Sequence, residues 1–260
     1  MAPPEGLRDT VRAVVALARE EQATLLAASL AYFSFVSLVP LLLLVFVALA
    51  TLGTADLAVR AVELTSETAT PGVDVAPLLS ARVGQGRATA VGLVVLCWSA
   101  LRLFRALDGV FGAVYGTHER ESVARSLRDA GLVFVTLLGA LVLLGVVGVV
   151  APLGVAAGRV LLGPVALFLA LVVVFLPMFY VFPEPDVDLR EAVPGVVFAA
   201  GTWSLSAAVF RVYFVDGLDL YGAAGAVVLV LTWFYVGGLA LVLGAVLNAV
   251  LAGRAVADDR

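Results

Sequence analysis

The chain has 260 residues, of which 62% are apolar and only 14% are charged, whereas about 25% of the residues in a typical soluble domain are charged. Its mean hydropathy is +1.10, and its 20 acidic residues against 16 basic ones, all arginine, give a net charge of −4. This composition excludes an ordinary soluble enzyme and a disordered chain, and it predicts an integral membrane protein.

The first predicted element is an amphipathic helix at about residues 5–22. Leu7, Val11, Val14, Val15 and Ala18 share one face of it, and three arginines lie elsewhere on its surface. This pattern is typical of a helix that lies in the membrane interface, although a solvated basic tail is an alternative. The segment is not a cleaved signal peptide, because the apolar run behind it is too long for such a signal.

Long uncharged runs follow, and a helix needs about 20 such residues to cross a bilayer. The runs are continuously apolar, which favours helices over the alternating strands of a membrane barrel. We predict an all-α fold with one membrane domain over residues 1–260. Its bundle has six spans, at about residues 26–50, 88–110, 131–152, 160–182, 192–214 and 226–250.

The connections between these spans differ in length. The long first outer loop, residues 54–87, has apolar residues at helical spacing in Asp56–Leu64 and Val75–Val83, which predicts two short amphipathic helices that cap a vestibule or lie on the interface. Prolines and glycines between Pro152 and Pro164 predict a tight turn between the third and fourth spans. Pro183 and Pro185 are expected to end the fourth helix.

The positions of the arginines predict the orientation, because cytoplasmic loops of membrane proteins are enriched in basic residues. With the N-terminus inside, eleven arginines lie on the inner side and four on the outer side, the latter being Arg60, Arg82, Arg87 and Arg159. We therefore expect a multi-pass protein of the cytoplasmic (inner) membrane with both termini in the cytoplasm.

Polar residues inside spans are candidates for function, because burying them in lipid costs free energy. Tyr32, Ser34 and Ser37 lie in the first span, where they either line a polar pathway or bond to their own helix and pack against a neighbour.

A charged stripe lies in the inner part of the second span. Arg102, Arg105 and Asp108 repeat every three residues, so they share one side of the helix. They form either a simple interfacial anchor or a site that faces the bundle interior and recruits an anionic group. The anion-site hypothesis rests on the uncharged part of this span, Ala88–Leu101, being too short to cross a bilayer alone.

The last predicted span is rich in small residues. Gly237 and Gly244 permit another helix to approach closely, and Trp233 lies too deep for the membrane interface and is expected to pack. Asn248 is expected either to cross-link helices or to end the span.

The sequence offers no enzyme constellation. A chain without lysine has no phosphate-binding P-loop, and its single histidine, His118, and single cysteine, Cys97, exclude multi-histidine and cysteine-rich metal centres. The carboxylates from Glu184 to Glu191 either bind a metal or simply carry charge at a turn and a helix N-terminus. We predict no catalytic, metal or cofactor site, and the small basic patch in the inner loop does not predict a nucleic-acid partner.

A set of short motifs runs along nearly the whole chain in a fixed order. They are Leu30-Ala-Tyr-Phe-Ser34 with Ser37-Leu-Val-Pro-Leu41, Phe104-Arg-Ala-Leu-Asp-Gly109 with Tyr115-Gly116, Pro183–Asp188, Pro194-Gly195, Trp203, Tyr213, Tyr221-Gly-Ala-Ala-Gly225, Trp233-Phe-Tyr235 and Gly244-Ala-Val-Leu-Asn-Ala249. This set resembles the YihY/BrkB family of membrane proteins. Val246 departs from the family pattern, which often has an acidic residue at this position.

The resemblance implies a prokaryotic inner-membrane protein with six helices and a transporter-like role. It also brings the family's former label, ribonuclease BN, which conflicts with the lack of a metal-binding constellation. We therefore expect a transporter or permease-like protein of unknown substrate, with a non-transporting scaffold of the envelope as the alternative. The expected partners are membrane lipids and an unknown solute or anionic lipid.

Overall fold

The computed structural model describes residues 6–51, 87–116, 136, 156–183 and 187–254. Within these ranges every regular element is a helix, in agreement with the predicted all-α class. The helices are α1, Leu7–Glu20; α2, Ala23–Thr51; α3, Arg87–Tyr115; α4, Ala156–Val181; and α5, Leu189–Leu251.

Three segments of the described part are long and apolar enough to cross a membrane. They are Pro164–Val181 in α4 and, within α5, Leu189–Phe210 and Val227–Leu251. These segments lie where the last three spans were predicted, and α2 and α3 cover the first two. The third predicted span, apart from the helical residue Thr136, lies outside the described residues, and so do the predicted helices of the first outer loop.

The helical run α5 folds back on itself. The backbone N–H of Gly195 donates to the side-chain oxygen of Asn248 at 2.6 Å, 53 residues further along the chain, whereas a straight helix would separate them by about 80 Å. Phe210 and Trp233 stack with ring centroids 5.6 Å apart, so the chain reverses between them. We call Leu189–Phe210 the first limb of α5 and Val227–Leu251 the second limb.

A sharp joint separates α1 from α2. Gln22 has a φ of 49°, in the left-handed region that few residues other than glycine adopt. The joint is closed by the N–H of Gln22, which donates to the carbonyl of Arg19 at 3.2 Å. The amphipathic helix is therefore a separate element and not an extension of the apolar helix behind it.

The start of α4 corrects one prediction. The helix begins at Ala156, so Gly158, Gly163 and Pro164 are helical, whereas the sequence placed them in a turn. An isolated proline removes only one backbone hydrogen bond. Among apolar residues the remaining backbone N–H and C=O groups are best satisfied within a helix, so the helix continues through Pro164. The helix ends at Val181, just before Pro183, as predicted.

The chain divides into two compact units. The first comprises Met1–Ala28, Ala106–Ser206 and Val236–Arg260; the second comprises Ser29–Arg105 and Ala207–Tyr235. The core of the first unit contains the fully buried Phe111, Phe179 and Val242. In the second unit the indole ring of Trp233 packs on Phe210, as expected for a tryptophan deep in a span.

Candidate functional site

Asn248 ties the two limbs of α5 together. Its side chain is 1% exposed. Among the residues that the structure describes, it is the one buried residue with an amide or charged side chain. The carbonyl oxygen of its side chain accepts from the N–H of Gly195 at 2.6 Å, and its amide nitrogen donates to the carbonyl of Ala192 at 2.9 Å. Asn248 therefore cross-links helices, the first of the two roles that the sequence left open.

Two glycines allow the limbs to approach this closely. A Cβ atom on Gly195 would meet the carbonyl oxygen of Gly244 and would lie 2.6 Å from the side-chain nitrogen of Asn248. A Cβ atom on Gly244 would lie 2.7 Å from the carbonyl oxygen of Gly195 and 2.9 Å from the ring of Phe179. Backbone therefore packs directly on backbone at this crossing.

An ion pair closes the open end of the α5 hairpin. Nη2 of Arg254 lies 3.1 Å from Oε2 of Glu191, with both side chains about one third exposed. Oε2 of Glu191 has no hydrogen-bond partner, so the contact with Arg254 is an ion pair. Glu191 lies in the first turn of the run and Arg254 follows its last turn, so each charge also opposes the adjacent end of the helix dipole.

Glycine turns fix the two helix ends that meet here. Gly253 has a φ of 67°, and behind it the N–H of Arg254 donates to the carbonyl of Ala249 at 2.9 Å. Gly116 has a φ of 70° and ends α3 directly after Tyr115. Gly253 terminates α5 in the manner of a Schellman cap, and Gly116 ends α3 with the same left-handed backbone, so the two glycines set where Arg254 and Tyr115 lie.

Tyr115 brings a buried hydroxyl group to this end. Its side chain is 8% exposed, and its hydroxyl has no hydrogen-bond partner. Burial raises the pKa of Tyr115 above its ordinary value of 10.0, the charge of Arg254 lowers it, and the charge of Glu191 raises it. The phenol is therefore protonated at physiological pH and lies within electrostatic range of both members of the ion pair. We call Tyr115, Glu191, Asn248 and Arg254 the terminal cluster.

Aromatic rings form the wall beside the terminal cluster. Phe111 stacks on Phe182 with ring centroids 5.5 Å apart, meets Phe179 edge to face at 5.3 Å, and faces Tyr115 at 6.4 Å. The terminal cluster thus offers a hydroxyl donor, a carboxylate and a guanidinium group beside an apolar wall, an arrangement suited to holding a small polar or charged group.

The polar residues predicted in the first span lie in the second unit. Ser37 donates its hydroxyl to the carbonyls of Phe33 and Ser34, at 2.8 and 2.9 Å. This is the own-helix arrangement that the sequence left as one alternative. Ser34 is half-buried, whereas the ring of Tyr32 is exposed and meets Phe33 edge to face at 5.3 Å.

The charged stripe of α3 is exposed. Arg102, Arg105 and Asp108 all lie on the surface of the protein, and the guanidinium of Arg102 lies 5.5 Å from the ring centroid of Trp98. Arg102 and Arg105 therefore lie away from the buried side of α3. The reason is that the side of α3 with Leu107, Val110 and other apolar residues is the one that the core buries. The anion-site hypothesis stays a prediction.

Sequence reasoning did not place Tyr115 and Arg254 in one site. Tyr115 entered only as part of a motif, and Arg254 only as an inner-side charge. The available signals were the glycine after each helix, at Gly116 and Gly253, which mark the ends of α3 and α5.

Comparison with known proteins decides the family. The family described as Virulence factor BrkB matches residues 14–260, nearly the whole chain. The chain belongs to the BrkB family. This confirms the resemblance seen in the sequence, and together with the apolar helices it indicates a membrane protein.

A named relative of this BrkB-family protein is a ribonuclease-like protein, YfkH of Bacillus subtilis (strain 168). The two are 33% identical over 89 residues, which cover 33% of this chain and 32% of that protein. The chain thus spans about one third of the length of the curated relative it matches. No solved structure matches this BrkB-family protein.

Proposed function

We propose that this BrkB-family protein is a permease-like protein of the cytoplasmic membrane, with six spans and both termini in the cytoplasm. The observation that carries the proposal is the buried hydroxyl of Tyr115, which lies without a hydrogen-bond partner beside the ion pair of Glu191 and Arg254. Ionisable groups among apolar helices are costly, and they mark solute pathways in membrane proteins.

The chemistry of the terminal cluster supports a role in solute recognition. A solute with an anionic group competes with Glu191 for Arg254, and the protonated hydroxyl of Tyr115 donates a hydrogen bond to it. Loss of the ion pair then loosens the open end of the α5 hairpin, while Asn248 still ties its limbs through the backbone of Gly195 and Ala192. The terminal cluster thus couples binding to opening at one end of the hairpin.

Solute flux into proteoliposomes tests this proposal. A panel of inorganic ions, organic anions and lipids is offered to the wild type and to three variants. We expect Tyr115→Phe and Arg254→Gln to lower the flux of the transported solute by roughly tenfold or more. Arg190→Gln, which removes an exposed charge one residue from Glu191, serves as the matched control and keeps wild-type flux.

A scaffold that transports nothing is the second candidate, and the contact of Gly195 with Gly244 favours it. Backbone packed on backbone makes a stiff hairpin, which suits a structural role better than a moving gate. Absence of flux for every solute of the panel, from correctly inserted protein, would favour the scaffold and contradict the permease.

We further propose that the protein is not a nuclease, although its relative YfkH is named ribonuclease-like. The part of the chain that the structure describes has no group of three side chains able to hold a metal ion, and the whole sequence has one histidine. Metal-dependent cleavage of RNA by purified wild type, lost in a point variant of this chain, would overturn this proposal.

A further inference from the structure

One side of α3 is exposed at the described side chains between Val94 and Arg105. Val94, Trp98, Leu101, Arg102 and Arg105 are all exposed, and at 3.6 residues per turn they fall within an arc of about 100°. Trp98 is 47% exposed and Leu101 is 60% exposed. We call these five residues the α3 stripe. The stripe is apolar over its first half and cationic over its second half.

The cationic half of the stripe is held in place by an aromatic ring. Trp98 lies one turn before Arg102, and the guanidinium of Arg102 lies 5.5 Å from the centroid of its ring. This cation–π contact restricts the rotamers of the arginine. Arg105 is three residues further on and also exposed, so the two arginines arise from neighbouring turns on the same side of α3.

The proposed membrane position of α3 makes these charges costly without an anionic partner. The uncharged part, Ala88–Leu101, is about 21 Å long, against a hydrocarbon core of about 30 Å. Arg102 therefore lies within the lipid layer, where its guanidinium group stays against the ring of Trp98. An anionic phosphate beside it lowers the cost of exposing a guanidinium group to lipid.

The charges and the shape fit one kind of molecule. Arg102 and Arg105, with the exposed Asp108 one turn further on, sum to one positive charge, which one phosphodiester group neutralises. The apolar half of the stripe, with Val94 and Leu101, offers a surface along which acyl chains lie. A soluble anion would leave this apolar surface unused.

We propose that the α3 stripe binds an anionic phospholipid of the cytoplasmic leaflet. The two guanidinium groups hold the phosphate by their planar donor forks, and the acyl chains run along Leu101, Trp98 and Val94, which follow in this order towards the membrane centre. This site rests on the proposed span of α3 and on the proposed orientation, and it does not depend on transport.

Quenching of tryptophan fluorescence by brominated lipids tests the site. The protein is reconstituted into vesicles that contain brominated phosphatidylglycerol at a fixed fraction, or brominated phosphatidylcholine at the same fraction. We expect stronger quenching by the anionic lipid. The part of this excess that Trp98 reports should be lost in Trp98→Phe, which leaves Trp203 and Trp233 as fluorophores. It should also be lost in the double variant Arg102→Gln/Arg105→Gln, which removes the charges.

Matched variants separate this site from general charge effects. Arg190→Gln removes an exposed arginine outside the stripe and should keep the excess. The double variant Arg102→Lys/Arg105→Lys keeps the charge but loses the planar forks, and it should lose most of the excess. Equal quenching by the two lipids in wild type would overturn the site, and so would a full excess in either double variant.

A further arm distinguishes a lipid from a soluble anion. Addition of inorganic phosphate should leave the excess quenching unchanged, and its loss would show that the stripe takes a soluble anion instead. Because lipid contact is measured without any flux, failure of this experiment leaves the permease proposal intact. Absence of flux with a preserved lipid preference would contradict the permease alone.

Discussion

Gly195 has no room for a side chain, and this gives a sharp prediction at the residue scale. In Gly195→Ala the new methyl group would meet the carbonyl oxygen of Gly244 and the side chain of Asn248. We expect the free energy of unfolding to fall by about 1–3 kcal/mol, or by more if the limbs separate. Denaturant titration in detergent measures the change.

Gly109 supplies the control for this substitution. It lies in α3, and a Cβ atom there would have no neighbour within 4 Å. Gly109→Ala should therefore leave stability unchanged or raise it by up to about 1 kcal/mol, because alanine favours the helix. Equal losses of stability in both variants would mean that the close contact of the two limbs is not the reason why Gly195→Ala is destabilising.

Tyr115 leads to a prediction about alkaline pH. Its pKa lies above 10.0 in the folded protein because the phenol is buried. Above about pH 10 the unfolded chain releases this proton and the folded chain keeps it, so stability falls as the pH rises further. Below that pH both states hold the proton and the group contributes no pH dependence.

Tyr115→Phe isolates this contribution. At neutral pH the variant should be as stable as wild type or slightly more stable, since the hydroxyl it removes has no hydrogen-bond partner. Above about pH 10 it should lose less stability than wild type, as followed by thermal unfolding at several pH values. A large loss at neutral pH would show that the hydroxyl has a stabilising partner.

At the scale of elements, α1 is expected to lie in the membrane interface. Leu7, Val11 and Val15 are exposed, Leu7 to 82%, and they form a stripe at four-residue spacing. The exposed Arg8 and Arg12 follow directly beside this stripe on the helix surface. Apolar side chains next to arginines suit the boundary between acyl chains and phosphates.

Spin labels measure this placement. In a Cys97→Ala background, a label at Val11 should be more accessible to oxygen, which partitions into lipid, than to a water-soluble nickel complex. A label at Asp9, on the other exposed side of α1, should show the opposite order. Both labels behaving as solvated would favour the basic tail that the sequence left as the alternative.

The sequence predicted the helices better than their contacts. Runs of apolar residues favour helices in a membrane. The predicted spans at about 160–182, 192–214 and 226–250 lie within a few residues of three helical segments that are long and apolar enough to cross one. Which helices touch depends on surfaces brought together from distant parts of the chain. Asn248 could be recognised as a cross-link, but its partner Gly195 could not.

The same reason explains why the direction of Arg102 could not be predicted from the sequence. Its charge and its spacing from Arg105 were visible in the sequence, and they left open both an interfacial anchor and an anion site. The side of α3 that packs is set by Phe111 and Val114 further along the helix, which are buried. Burial of that side leaves the arginines on the exposed side of α3. The sequence of one helix does not show which of its sides packs against other helices.

At the scale of the whole molecule, we expect both termini in the cytoplasm. Eleven arginines on the inner side against four on the outer side predict this orientation. A reporter enzyme that works only in the cytoplasm should be active when fused after Arg260, and one that works only outside should be inactive. The reverse pattern would overturn the proposed topology and move the α3 stripe to the other leaflet.

The reversal within α5 has a consequence for the order of folding. Its contacts are nested: Phe210 meets Trp233 nearest the reversal, Trp203 lies against Gly237 further out, and Gly195 reaches Asn248 last. Each inner contact shortens the loop that the next outer contact must close. The hairpin can therefore form its contacts in order from the reversal outward, with a small loss of chain entropy at each step. The bonds of Asn248 then form late, and their loss should speed unfolding more than it slows folding.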